Sequence, residues 1–216
     1  MNIAFIGYGS MTQALAPRFI ATGHSVFLGG HNPEKAKGVA DEIGASGSGD
    51  TAAAVTFGEV IVFATPFDKI DDAITAAGGP GAFDGKVVID INNPVAGYMS
   101  GDFTVATFDD GKSLAETIAD KLPKAEVAKA FNCCQAKVWA MDPPEFDGRR
   151  LVTMTAANGD RARDVAKQLI EATGSQPLDL GDFKRTRNLE AIAGVVIQLL
   201  FSGHDPHTAL NLVSAK

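Results

Sequence analysis

Three short stretches carry residue types and spacings that could do chemistry. The first, FIGYGSMTQAL, closes an apolar run on Gly7 and Gly9 and then takes up a helical period. Two glycines so placed let the backbone bend sharply at the first and approach a ligand closely at the second. The N–H groups that open the helix then face an anion such as a pyrophosphate. Thr12 stands where a third glycine normally lets helix and strand pack closely, so the helix is expected to stand off or rotate slightly. A bare G-x-G also fits an ordinary strand–turn–helix, and position in the chain must decide between the two. The second stretch, NCCQAKVW, places Cys133 and Cys134 side by side at the end of a predicted strand. They are either redox-active or small soft side chains packed beside a ring. No activating base adjoins them, which favours packing. Trp139, on a short helix, reads as a core residue rather than a stacking platform. The third stretch, FKRTRNLE, sets Lys184, Arg185 and Arg187 in an acidic chain. It either attracts an anionic substrate or begins a solvated helix, with Arg187 and Glu190 spaced to pair along it. His204, Asp205 and His207 hint at a metal, but two histidines without a third firm ligand do not make a site, and none is expected.

The elements that must position these residues follow from the hydrophobic pattern. Strands are predicted over 2–6, 25–28, 60–64, 86–91, 127–131, 151–155 and 177–180. Helices are predicted over 11–22, 33–43, 51–56, 68–77, 112–121 and 161–173, with two more inside 188–215 broken at SGHDP. GASGSGD, residues 44–50, reads as a flexible connection. Continuous rather than alternating apolar strands mean that both sheet faces are covered. With helices between them, that gives an α/β fold, a Rossmann-like, doubly wound, mostly parallel sheet with C-terminal helices. Residues 1–182 are expected to form the NAD(P)-binding domain, and 183–216 a helical segment that completes the site and offers a dimer interface. The 216 residues are 45% hydrophobic and 21% charged, enough to bury a core without disulfide or metal. A net charge of −7 with no basic block argues against nucleic acid or an anionic membrane as partner. No apolar run is long enough to span a bilayer. Adjacent cysteines and an N-terminus that enters a strand directly predict a cytoplasmic protein.

In this fold the second strand presents the group that reads the adenosine ribose. Here its tip reads GGHNPEKA, with no acid to hold two ribose hydroxyls. His31, Asn32 and Lys35 can each donate to a 2′-phosphate, which leans the reading towards NADP; Glu34 lies one turn into the helix and points away.

Taken together, FIGYGSMTQALA, GHSVFLGGHNPEKA, VIVFATP, IDINNP, VAKAFN and RNLEAIA resemble, in order and spacing, the NADP oxidoreductase, coenzyme F420-dependent, family. That family includes the cytoplasmic domain of the STEAP metalloreductases. The resemblance runs from Met1 to near Ser202. It implies a Rossmann fold, often dimeric, whose C-terminal helices complete the active site. It also implies hydride transfer between NADP(H) and a small-molecule electron acceptor, usually a deazaflavin or flavin. Carried over, Gly7, Tyr8, Gly9, Ser10 and Met11 hold the pyrophosphate, and Gly30, His31, Asn32 and Lys35 surround the 2′-phosphate. Ala64, Thr65 and Pro66 lie against the nicotinamide half, and Asn92 and Pro94 close that pocket. Phe131, Asn132 and Cys133 face the nicotinamide and the second substrate, with Asn132 and Cys133 in the catalytic position. Two departures stand out. Deazaflavin-reducing members carry Ser-Arg where this chain has Gly30-His31, and can carry His where it has Asn132. The expectation is an NADPH-dependent oxidoreductase acting on a flavin-like acceptor. The alternative is a non-catalytic NADP(H)-binding sensor or regulatory subunit. No Tyr-x-x-x-Lys pair follows the fourth strand, so a short-chain dehydrogenase mechanism is not expected.

Overall fold

A computed structural model of the chain describes residues 1–96, 101, 103–205 and 210–215. Its elements run β1 (Asn2–Ile6), α1 (Ser10–Ala21), β2 (Ser25–Gly29), α2 (Pro33–Ile43), β3 (Gly47–Gly49), α3 (Thr51–Phe57), β4 (Val60–Phe63), α4 (Ile70–Ala76) and β5 (Val87–Asp90). They continue through α5 (Leu114–Lys121), β6 (Glu126–Lys129), α6 (Ala136–Trp139), β7 (Glu145–Phe146), β8 (Arg149–Arg150), β9 (Val152–Ala157), α7 (Asp160–Ala172), β10 (Gln176–Asp179) and α8 (Thr186–Phe201). Eight strands form one sheet in the order β10-β9-β6-β5-β4-β1-β2-β3. Every neighbouring pair is parallel except β6–β9. The α/β, Rossmann-like class expected from the pattern is the one observed.

The central strands are apolar on both sides because both sides are packed. Ile3 and Phe5 of β1 join one core with Phe19, Phe131 and Trp139, and Ala4 and Ile6 join the other with Ile61, Phe63 and Phe83. Each large side chain buried in this way contributes about 1.5–3 kcal/mol of transfer free energy. Local signals set the helix starts. Asn32 Oδ1 accepts from the Lys35 N–H at 3.0 Å and Pro33 opens α2; Asp50 Oδ1 accepts from the Ala53 N–H at 2.8 Å to open α3.

Two local expectations are corrected. GASGSGD is not simply a flexible connection, because Gly47–Gly49 pairs with β2 as an edge strand. The ring of Phe27 lies so close over Gly47 that an added Cβ would sit 3.0 Å from it, so small residues let this edge close. Of the two helices expected near the C-terminus, α8 forms, but the residues from 210 onward that are described are not helical. There the Val152 N–H donates to the Leu212 carbonyl at 2.8 Å, the Ser214 N–H donates to the Arg150 carbonyl at 2.9 Å, and Val213 bridges to Leu151. An available strand edge competes for these backbone groups and holds the segment extended. His207 lies outside the described residues. Among those described, no helix is long and apolar enough to cross a membrane.

Candidate functional site

The tips of β1, β2 and β4 surround a cleft of about 580 Å³. Gly7, with φ 122°, lies so close to β4 that an added Cβ would collide with the Ala64 carbonyl, and its N–H donates to the Gly29 carbonyl at 2.8 Å. Both φ and contact require glycine there. Gly9 is different: a Cβ added to it meets nothing within 4 Å. Among the described residues no atom demands that glycine. Gly9 is also the N-cap of the twelve-residue α1, where no side chain caps the helix and no acid occupies the first turn. The helix therefore offers its first N–H groups outward. Thr12 is wholly buried and its Oγ1 donates to the Gly7 carbonyl at 3.0 Å. The third position of the motif is thus held by a hydrogen bond as well as by packing.

Gly7, Tyr8, Gly9, Gly30, His31, Ala64, Thr65 and Pro66 all line this cleft. A Cβ on Gly30 would come within 2.9 Å of the Tyr8 ring, so the glycine lets Tyr8 lie over the tip of β2. The Tyr8 ring centre is 5.9 Å from that of the exposed His31, with its hydroxyl 3.4 Å from Nε2. Asn32 and Lys35 stand beside the cleft rather than in its lining. Thr51, Lys69, Asp72, Ala73 and Ala76 also line it, and sequence reasoning did not select them. Their signal was the start of α3 and one face of α4, read only as secondary structure.

A second, smaller cavity of about 230 Å³ lies between the start of α1, the loop after β6 and α8. Ser10, Met11, Asn132 and Cys133 meet there, with Asn93, Val196, Ile197 and Leu200 also in its lining. The buried Asn132 is held from two sides: its Nδ2 donates to Asn93 Oδ1 at 2.9 Å and to the Leu189 carbonyl of α8 at 3.0 Å. Asn93 returns a bond from its own Nδ2 to the Asn132 carbonyl at 2.7 Å. Phe131, just before, adopts φ 62°, an uncommon conformation for a non-glycine, with its ring edge-on to Trp139 at 5.2 Å. Trp139 is 1% exposed and is a core residue. Burial pushes the thiols of Cys133 and Cys134 up to about 12, although Lys129 pulls Cys133 the other way. Both are neutral thiols near neutral pH.

Asn92 and Pro94, expected to close the pocket, line neither cavity. Asn92 Nδ2 donates to the Phe63 carbonyl and to Asp90 Oδ1, each at 3.0 Å, tying the tips of β4 and β5 together. Pro94 is buried, with its carbonyl accepting from the Ala106 N–H at 2.7 Å. Asn93 is the residue of this turn that faces the cavity.

Behind the second cavity lies a charge cluster whose members stand in IDINNP, VAKAFN and RNLEAIA, where sequence reasoning gave Asp90 and Lys129 no role. Lys129 is wholly buried, and its Nζ donates to Asp90 Oδ2 at 2.7 Å, Glu190 Oε1 at 2.8 Å and the Asn92 carbonyl at 2.6 Å. Glu190 also accepts from the Leu114 N–H at 3.0 Å and the Ala115 N–H at 3.3 Å, at the start of α5. Burial works against the Lys129 charge, but the two carboxylates outweigh it and hold the ammonium above its ordinary range. Glu190 is raised, first by burial and also by Asp90, because one ammonium serves two acids. Arg187 and Glu190 do not pair with each other as their spacing suggested. Arg187 forks onto Glu116 at 2.7 and 2.8 Å, while Glu190 turns under α8 to Lys129. Burial tends to raise Glu116, but the bonds from Arg187 and Ser113 prevail and hold it below the ordinary carboxylate range. Lys184 and Arg185 line neither cavity. Among the described residues no group of three or more His, Cys, Asp or Glu could hold a metal.

Residues 2–94, which carry the tips of β1, β2 and β4 and the turn after β5, match the family described as NADP oxidoreductase, coenzyme F420-dependent. Over that segment the chain is similar to this family. Relatives extend the likeness over most of the chain. It is 28% identical over 199 residues to metalloreductase STEAP3 of Rattus norvegicus, which covers 88% of this chain and 36% of that protein. It is 27% identical over 216 residues to the F420-dependent NADP reductase of Methanocaldococcus jannaschii, covering 92% of each. A crystal structure of a candidate F420-dependent NADP-reductase from Arthrobacter sp. FB24 superposes with a TM-score of 0.77 at 25% identity, covering 93% of both chains.

Proposed function

We propose that the protein is an NADPH-dependent oxidoreductase that passes a hydride between NADP(H) and a flavin, deazaflavin or similar small electron acceptor. The observation that carries this reading is the uncapped start of α1 beside Gly9, where a Cβ would meet only open space. That cradle fits a pyrophosphate, which takes the free N–H groups and the positive end of the helix dipole. Tyr8, Gly30 and His31 then border the adenosine end, with Asn32 and Lys35 flanking it, and Ala64, Thr65 and Pro66 wall the opposite side. Bound so, the cofactor supplies the hydride donor or acceptor.

Asn132 and Cys133 face the second cavity, where Asn132 is fixed by Asn93 and the Leu189 carbonyl. A fixed amide can orient a ring without moving a proton, which suits hydride transfer between two planar carriers. Residues 183–216 act as the segment that completes this side, since α8 supplies Val196, Ile197 and Leu200 to the lining. The exposed Val195 and Phe201 on α8 make it the face on which we expect a homodimer. A second reading, a sensor that binds NADP(H) without turnover, draws support from the second cavity: among the described residues its lining holds amides, the Ser10 hydroxyl, neutral thiols and apolar groups, and no Asp, Glu, His, Lys or Arg.

Fluorescence titration with NADPH and NADH tests the cleft, and an acceptor screen then separates the two readings. NADPH oxidation with a flavin-like acceptor supports the enzyme, tight binding with no turnover on any acceptor supports the sensor, and binding of neither nucleotide overturns both.

A further inference from the structure

We propose that His31 makes the preference for a 2′-phosphorylated dinucleotide depend on pH: the site selects NADPH strongly over NADH when the imidazole is protonated and loses much of that selection when it is not. The inference rests on reading the cleft as the NADP(H) site, and adds a regulation of that site.

The tip of β2 carries neither an acid nor an arginine. It presents Gly30 and the exposed His31, with Tyr8 seated over Gly30. The Tyr8 hydroxyl lies 3.5 Å from Nδ1 and 3.4 Å from Nε2, and the imidazole is part of the cleft lining. The neighbouring donors are limited. Asn32 has its Oδ1 committed to the start of α2, which leaves only a neutral amide N–H₂. Glu34 and Lys35, residues of opposite charge type, are exposed on the first turn of α2. On the far side of the cleft Lys69 is paired with Asp72 at 3.3 Å; Asp50, whose carbonyl packs against Gly29 of β2, is engaged by the Ala53 N–H at the start of α3. Tyr8 adds a neutral hydroxyl from the β1–α1 turn. Of these groups, only an imidazole changes its charge between about pH 5 and 8.

The coupling follows from linkage. A 2′-phosphate beside His31 favours the imidazolium, so binding of NADPH takes up a proton and tightens as pH falls. Each pKa unit by which binding raises the imidazole is worth about tenfold in affinity. NADH has a hydroxyl in place of the phosphate and gains little from the charge. The phosphate's own protonation, with a pKa of about 6, weakens its binding as pH falls and so acts in the opposite direction. An arginine at this position would keep its charge throughout and give a constant preference.

The test is the ratio of NADH to NADPH dissociation constants, measured by fluorescence between about pH 6.5 and 8.5. We expect the ratio to fall roughly tenfold across that range in the native protein. We expect it to be low and flat in His31→Gln, and high and flat in His31→Arg. Far-UV circular dichroism and urea denaturation matching the native protein certify the fold of both variants. A native ratio that does not vary with pH, or that varies equally in His31→Gln, overturns the inference while leaving the cleft assignment standing. Failure of NADPH and NADH to bind the native protein overturns both.

Discussion

Replacing Lys129 with methionine removes the ammonium that holds two buried carboxylates together. The side chain is wholly buried and makes three donor contacts, to Asp90, Glu190 and the Asn92 carbonyl. Methionine fills much of the same space, so the cavity left behind is small and the loss is mainly electrostatic. Each acid keeps some partners: Asp90 Oδ1 accepts from the N–H and Nδ2 of Asn92, and Glu190 accepts from Leu114 and Ala115. They no longer share a counter-ion. Breaking a buried pair from one side costs about 3–5 kcal/mol, a large part of the roughly 5–15 kcal/mol that holds a domain folded. The sign of the pH dependence follows from Glu190. Its folded-state pKa lies above the unfolded value, so its contribution is fully present below the unfolded pKa and is lost as pH rises through the folded one. Without Lys129 that rise is greater. The deficit in Lys129→Met is therefore expected to be full at about pH 8 and to shrink as Glu190 takes up a proton. Adding Glu190→Gln should recover part of it. Urea denaturation of the three proteins at several pH values measures this. A loss at pH 8 below about 1 kcal/mol, or one equal at every pH, would refute the reasoning.

Other outcomes follow from single contacts. Gly9→Asp is expected to fold like the native protein yet lose NADPH binding, because the added side chain meets no protein atom but fills the cradle with negative charge; undiminished binding would move the pyrophosphate elsewhere. Gly7→Ala, forced into φ 122° against the Ala64 carbonyl, is expected to cost about 1–3 kcal/mol in urea denaturation, and a neutral result would mean that β1 and β4 part easily. With thiols pushed up to about 12, Cys133 and Cys134 are expected to resist iodoacetamide at neutral pH in the native state and react once unfolded; rapid native labelling would restore a redox role. Glu116, held below its unfolded value, gives stability present above about pH 4.3 and lost as pH falls through its folded pKa. Glu116→Gln should flatten that acid limb in stability measurements, only modestly because Arg187 is partly exposed.

The sequence by itself determined the class of fold and the strand–turn–helix that opens the candidate site. VIVFA and its counterparts are apolar without alternation because both faces of their strands are covered, and that is a property of neighbouring residues. Gly7 and Gly9 between a strand and a helix, and Asn32 with Pro33 at the start of α2, likewise act within a few residues of themselves. Contacts between distant parts of the chain were decided only by the tertiary structure. Asn92, Asn93 and Pro94 look alike as candidates in IDINNP; Asn92 is taken up by the Phe63 carbonyl and Pro94 by burial, which leaves Asn93 to the cavity. Arg187 and Glu190 look like partners along one helix, but Glu116 lies 71 residues from the first and Lys129 lies 61 from the second. A lysine that ends a buried strand has no local signature of its role. It stays charged because two acids from separate elements surround it, and only the folded chain brings them together.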